Sequence, residues 1–82
     1  MTYVLIYKRG RVYSATRIHR VNSVAEAKAK GLQHIERWNN VLHWIGHYSF
    51  IDILEMPEGS EESVVKYIQS LERKDAKVQN LL

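Results

Sequence analysis

The nine residues from Tyr48 to Met56, YSFIDILEM, constrain this chain most. They are dense in Phe, Ile, Tyr and Leu, which suit a pleated, half-buried surface. Pro57, the single proline, follows at once and has no amide with which to continue a ladder. Upstream, Val41 to Ile45 is a short apolar stretch, and Gly46 permits a sharp bend or bulge between it and the longer run. The span from Leu42 to Glu58 therefore reads as two strands meeting at Gly46, with a helix about to begin. Alternation along a strand predicts Tyr48, Phe50, Asp52 and Leu54 on one face, and Ser49, Ile51, Ile53 and Glu55 on the other.

The remaining elements are placed around that pair. Thr2 to Lys8, TYVLIYK, is nearly uninterrupted in apolar and aromatic character, as expected of a central strand covered on both faces. After Arg9-Gly10-Arg11, Val12 to Ile18 alternates, which fits either the return strand of a hairpin turning at Gly10 or an extended loop. Ser23-Val24-Ala25-Glu26 has the form of a capping box. The helix it opens has Val24, Ala27, Leu32, Ile35 and Trp38 near one face, and Asn39-Asn40 is expected to end it. A second helix is predicted after Gly59, with Ser60 as N-cap and Glu61 and Glu62 at its positive end. Its buried stripe is Val64, Val65, Ile68 and Leu71, with Arg73 and Lys74 near its end. Ala76 to Leu82 is predicted as a last short strand.

Leaving out the ambiguous second segment, the order is β-α-β-β-α-β, the split motif of ferredoxin-like α+β domains. Eighty-two residues suffice for a single domain, 1–82, and bury only about 60–65% of the unfolded surface, so association would add needed stability. Both helices are expected on one face of an antiparallel sheet. The other face is then left to be polar, to hold a ligand, or to pair with a second subunit. With no cysteine, neither disulfides nor zinc–thiolate sites contribute. The longest apolar runs fall well short of the roughly 18 residues of a membrane span, and the N-terminal charges follow the apolar run, the reverse of a signal peptide. A cytoplasmic protein with no membrane partner is expected.

Charge is unevenly placed. Residues 1–41 hold eight Lys and Arg against two acids, whereas residues 42–82 hold four against seven. An acidic partner for one face, self-association of unlike faces, and a solvated basic strand edge that resists aggregation all fit this asymmetry. Lys8, Arg9, Arg11, Arg17 and Arg20, beside several of the rings Tyr3, Tyr7, Tyr13, Trp38, Trp44, Tyr48 and Phe50 on the open sheet face, would serve a nucleic-acid surface in which rings stack on bases. The basic-Gly-aromatic-x-aromatic signature of RNA-binding sheets is missing from Lys8-Arg9-Gly10-Arg11-Val12, and rings placed in a core or dimer interface account for the same residues.

His43 and His47 are four apart, but on strands and without a third convergent ligand they define no metal site. Asp52, inside an apolar strand, reads either as a carboxylate of raised pKa acting with His43 or His47 in acid–base chemistry, or as one satisfied by an interface, water or an arginine such as Arg17. No phosphate-cradling loop or nucleophile elbow is present, and no cofactor is implied.

Trp44, Gly46, Tyr48, Glu55 and Pro57 together resemble the GYD-domain family of small proteins, which reads roughly Trp-x-x-Gly-x-Tyr-Asp, an apolar strand, then Glu-x-Pro before a helix. Here Trp44 stands one place closer to the glycine, and Ser49 occupies the aspartate position. Residues 40–82 are also similar to the ligand-binding half of Lrp/AsnC-type regulators. The resemblance implies a ferredoxin-like fold that pairs through its sheets into a dimeric α+β barrel. The resulting expectation is a non-catalytic binding or regulatory homodimer, holding a small molecule near His47, Tyr48, Phe50 and Asp52. A nucleic-acid-binding protein using residues 8–20 and a small barrel enzyme are the alternatives.

Overall fold

The computed structural model describes residues 2–41, 46–57 and 61–81, with side chains through residue 75. The order is β1 (Thr2–Arg9), β2 (Val12–Ile18), α1 (Val24–Val41), β3 (Tyr48–Met56) and α2 (Glu61–Leu81). This is a small α+β domain: a three-stranded antiparallel sheet of order β2-β1-β3 with two helices, compatible with a ferredoxin-like fold.

The second segment is a strand. Arg9 faces Val12 across the turn at Gly10, whose φ of 59° precedes an ordinary negative φ at Arg11. Glycine at the first central position suits the right-handed twist of a two-residue hairpin. β1 is central, and Leu5 and Ile6 are both fully buried, one on each face. A strand covered on both sides needs the unbroken apolar run that β1 has.

α1 covers the face of Tyr3, Leu5 and Tyr7. Its capping box forms, with the return bond of Glu26 falling one residue before the N-cap Ser23. The Ser23 hydroxyl accepts from the Glu26 amide at 3.1 Å, and the Glu26 carboxylate accepts from the Asn22 amide at 2.9 Å. Ala27, Gly31 and Ile35 are buried against the sheet. A Cβ at Gly31 would stand 3.2 Å from Leu5 and 3.3 Å from Ile53, so glycine lets the helix approach at close range. Tyr3, Leu5, Ile18, Ala27, Ile35 and Tyr48 form the core here.

α2 covers the other face, contrary to the expectation of both helices on one side. Its Tyr67 reaches Asp52, and its Asp75 reaches Lys8 and Tyr13. These partners line up across the sheet with Ile6 and Lys8, one residue out of step with Leu5 and therefore on the opposite face. The face expected to pair with a second subunit is occupied by the chain's own helix.

The predicted last strand is also absent among the described residues. Residues 76–81 continue α2. Val78 lies seven places beyond Leu71, which fits a helical stripe as well as a strand, and no Gly or Pro stops the helix after Lys74. Both edges of β1 are taken, by β2 and β3, so no closing strand could pair with it. Val41 belongs to α1 and not to a strand. The predicted strand at 42–45 and the Ser60 cap lie outside the described residues.

Candidate functional site

The predicted ligand cluster does not converge. Asp52 faces Ile6, but the next pair along is Tyr7 with Phe50, so Ile51 is an extra residue in β3. Such a bulge breaks the alternation by one place. Tyr48 and Phe50 consequently face α1, while Asp52 and Leu54 face α2. His47 is exposed just before the strand, where its carbonyl accepts from the Gly10 amide at 3.0 Å. His43 lies outside the described residues.

The side chains of Tyr48 and Asp52 have structural partners. Tyr48 is buried in an aromatic cluster, its ring 5.3 Å from Trp38 and 5.9 Å from Tyr7. Asn39 reproduces a strand rung beside it: its side-chain oxygen accepts from the Tyr48 amide at 2.7 Å, and its side-chain nitrogen donates to the Tyr48 carbonyl at 2.9 Å. Asp52 accepts from the Ile53 amide at 2.8 Å and from the Tyr67 hydroxyl at 2.9 Å. It pairs with neither Arg17 nor any other arginine among the described residues.

The basic stretch is likewise divided. Lys8 donates to Asp75 at 3.3 Å, with its ammonium 4.9 Å from the Tyr13 ring centre. Arg17 donates to Glu61 at 2.6 Å on the α2 face. Arg9 and Arg11 sit exposed at the hairpin tip, and Arg20 is exposed at the other end of β2, at a φ of 61°. Seven residues of strand, about 20 Å, part the two groups.

Contacts with α2 shift several titrations. The Tyr13 hydroxyl donates to Asp75 and holds that carboxyl below its ordinary value, with Lys8 adding to the effect. The same hydrogen bond raises Tyr13, and the bond from Lys8 to Asp75 raises Lys8. Burial, then the bond to Asp52, raises Tyr67. On the α1 side, burial and then Glu55 raise Tyr3.

Two grooves flank the sheet. One, of about 270 Å³, opens between the start of α2 and the sheet, walled by Val4, Ala15, Met56, Val64 and Val65, with Arg17 and Glu61 at its mouth. The other, of about 510 Å³, runs between β2 and α1 and is lined by Thr16, His19, His34, Arg37, Trp38 and Val41. Among the described residues, no three His, Asp or Glu side chains gather where they could hold a metal ion. No helix among them is long and apolar enough to cross a membrane.

Sequence reasoning missed Asn39, Tyr67 and Asp75. Tyr67 was legible as a member of the α2 stripe, between Val64 and Leu71. Asp75 fell in what read as a helix end. The chain matches no family model, no curated protein and no solved structure.

Proposed function

We propose that this chain is a non-catalytic binding domain, of the regulatory kind that the GYD-like resemblance implies, and that its ligand enters the groove between α2 and the sheet. The observation behind this reading is the groove itself, a concave apolar wall closed at one end by an exposed ion pair. Ligand sites are typically apolar concavities with a few polar groups that fix orientation. At about 270 Å³ the groove suits a molecule smaller than most drugs, with an apolar body and one carboxylate. That carboxylate replaces Glu61 on the Arg17 guanidinium, whose fork matches it in two bonds.

Titration with hexanoate and benzoate, followed by amide chemical shifts, tests the assignment. Val4, Ala15 and Val64 are expected to shift together. Val65→Trp, at a position 53% exposed, fills the mouth without disturbing the core and abolishes the shifts. Shifts that survive Val65→Trp, or scatter over the surface, would contradict the reading. At a hundredfold excess over Kd such a ligand raises stability by about 2.7 kcal/mol.

A second reading keeps the homodimer and the finer ferredoxin-like barrel assignment. Residues 61–75 of α2 contain no fully buried side chain, so the helix is a light cover over Val4 and Ile6. In this reading α2 swings aside, and a second copy takes its place on the sheet. A salt-resistant dimer mass by light scattering supports it; a monomer at high protein concentration removes it.

A further inference from the structure

The groove between β2 and α1 combines permanent positive charge with a stacked pair of flat rings. On α1, Lys30, His34, Arg37 and Val41 recur at intervals of three and four and so share one flank of the helix. His34 lies nearly parallel to Trp38, with ring centres 5.8 Å apart and planes 16° apart. The inner side of Trp38 is anchored by Tyr7, 5.0 Å away, which fixes the outer pair in place. Lys30 stands beyond the groove's own lining, one turn before His34, where its ammonium donates to the carbonyl of the lining residue His19. Arg17 lines the groove too, but its guanidinium is turned to Glu61 on the other face.

Among the described residues, no acid lines this groove. Glu26 and Glu36 are the only carboxylates of residues 1–41. Glu26 is held on the Asn22 amide at the helix start, and Glu36, two places from both His34 and Trp38, is turned to the far side of the helix. β2 is an edge strand, so its outward backbone groups border the same opening.

We propose that this groove binds single-stranded nucleic acid, with a base stacked on the His34–Trp38 pair and neighbouring phosphates on Lys30 and Arg37. The rings decide between this and other anions: an acidic peptide or a sulfated polysaccharide uses the charges and leaves the stacked pair idle. Stacking on aromatic side chains beside a cationic track is the usual mode for bases that are not paired. The site is distinct from the hairpin-tip arginines, Arg9 and Arg11, and from the groove under α2.

The test is fluorescence polarisation of labelled twelve-nucleotide oligo-dT and oligo-U with the full chain, at a series of salt concentrations. Binding is expected to weaken steeply with salt. The double variant Lys30→Gln, Arg37→Gln lowers the log–log salt slope by about 1.4, two phosphate contacts at about 0.7 each. His34→Ala lowers affinity about tenfold at unchanged slope, and His34→Phe retains it. Arg9→Gln with Arg11→Gln leaves binding within about twofold. Uridine monophosphate binding as tightly as the oligonucleotide would reduce the site to a mononucleotide pocket and contradict the strand assignment. Absence of salt-sensitive binding would overturn the proposal. So would polyglutamate or heparin competing as strongly per charge as oligo-U, or loss of binding confined to the Arg9 and Arg11 variant.

Discussion

The two helices of this domain lie on opposite faces of one sheet and are held there by different physics. α1 is seated by packing. Ala27, Gly31 and Ile35 are buried, Trp38 wedges among Tyr7 and Tyr48, and Asn39 bonds to the β3 backbone. α2 buries no side chain fully over residues 61–75 and is attached by polar contacts along its length, Glu61 to Arg17, Tyr67 to Asp52 and Asp75 to Tyr13 and Lys8. Burial contributes about 25 cal/mol per Å² removed from water, while a net hydrogen bond contributes about 1 kcal/mol and an exposed ion pair less. The first helix is therefore integral to the core. The second is a cover, and a cover leaves the groove beneath it accessible.

This difference can be broken most directly at Gly31. Gly31→Leu forces four carbons into space already filled by Leu5, Ile53 and Phe50, and is expected to cost about 3 kcal/mol in urea unfolding, seen as a lower midpoint at unchanged slope. Asn39→Ala removes both bonds to Tyr48 and leaves a half-buried rung unpaired, a loss of about 2 kcal/mol by the same measurement. On the α2 side Tyr67→Phe deletes one bond to Asp52 and costs about 1 kcal/mol. If Tyr67→Phe proved as damaging as Gly31→Leu, the two helices would be equally integral.

Acid sharpens the comparison with a smaller effect. The Asp75 pKa is lowered in the folded state, so its contribution is present above the unfolded value, near 4, and is lost as pH falls through the folded value. As pH falls below about 4, α2 is expected to loosen from Tyr13 and Lys8. Tyr13 amide and ring signals should report this, with Tyr7 and Trp38 unmoved. Asp75→Asn removes the acid limb. Alkali is less discriminating. Raised Tyr13, Tyr67 and Lys8 lose their contribution as pH rises through their folded values above 10, but Tyr3 on the α1 side does so too.

The same contrast explains how much of the molecule was legible from residues alone. β1, β2 and β3 and the opening of α1 follow from local signals: an apolar run, a glycine turn, Pro57, and the Ser23–Glu26 box. The end of α1 at Val41 falls within one residue of the Asn39-Asn40 stop, but the engagement of Asn39 by β3 is a contact invisible to local reasoning. Residues 76–81 were misread because Val78 and Asn80 alternate as in a strand while the valine also falls on the α2 stripe. Only the occupancy of both β1 edges decides between them. The predicted ligand cluster failed at Ile51, since one extra residue in β3 sends Asp52 to the face opposite Tyr48 and Phe50. Nothing in YSFIDILEM marks a bulge, because no glycine is there to signal it. The stacked His34 and Trp38 were a helical pair at four residues' spacing, but their meeting with β2 needed the fold.

Native-state hydrogen exchange tests the central contrast most directly, because it reads the opening free energy of each helix in the intact chain. Amides of Ala27 to Ile35 are expected to exchange only with global unfolding. Amides of Val64 to Leu71 are expected to exchange through a lower-energy opening that leaves α1 and the sheet protected. A single opening free energy shared by both helices would contradict the account and make α2 part of the core.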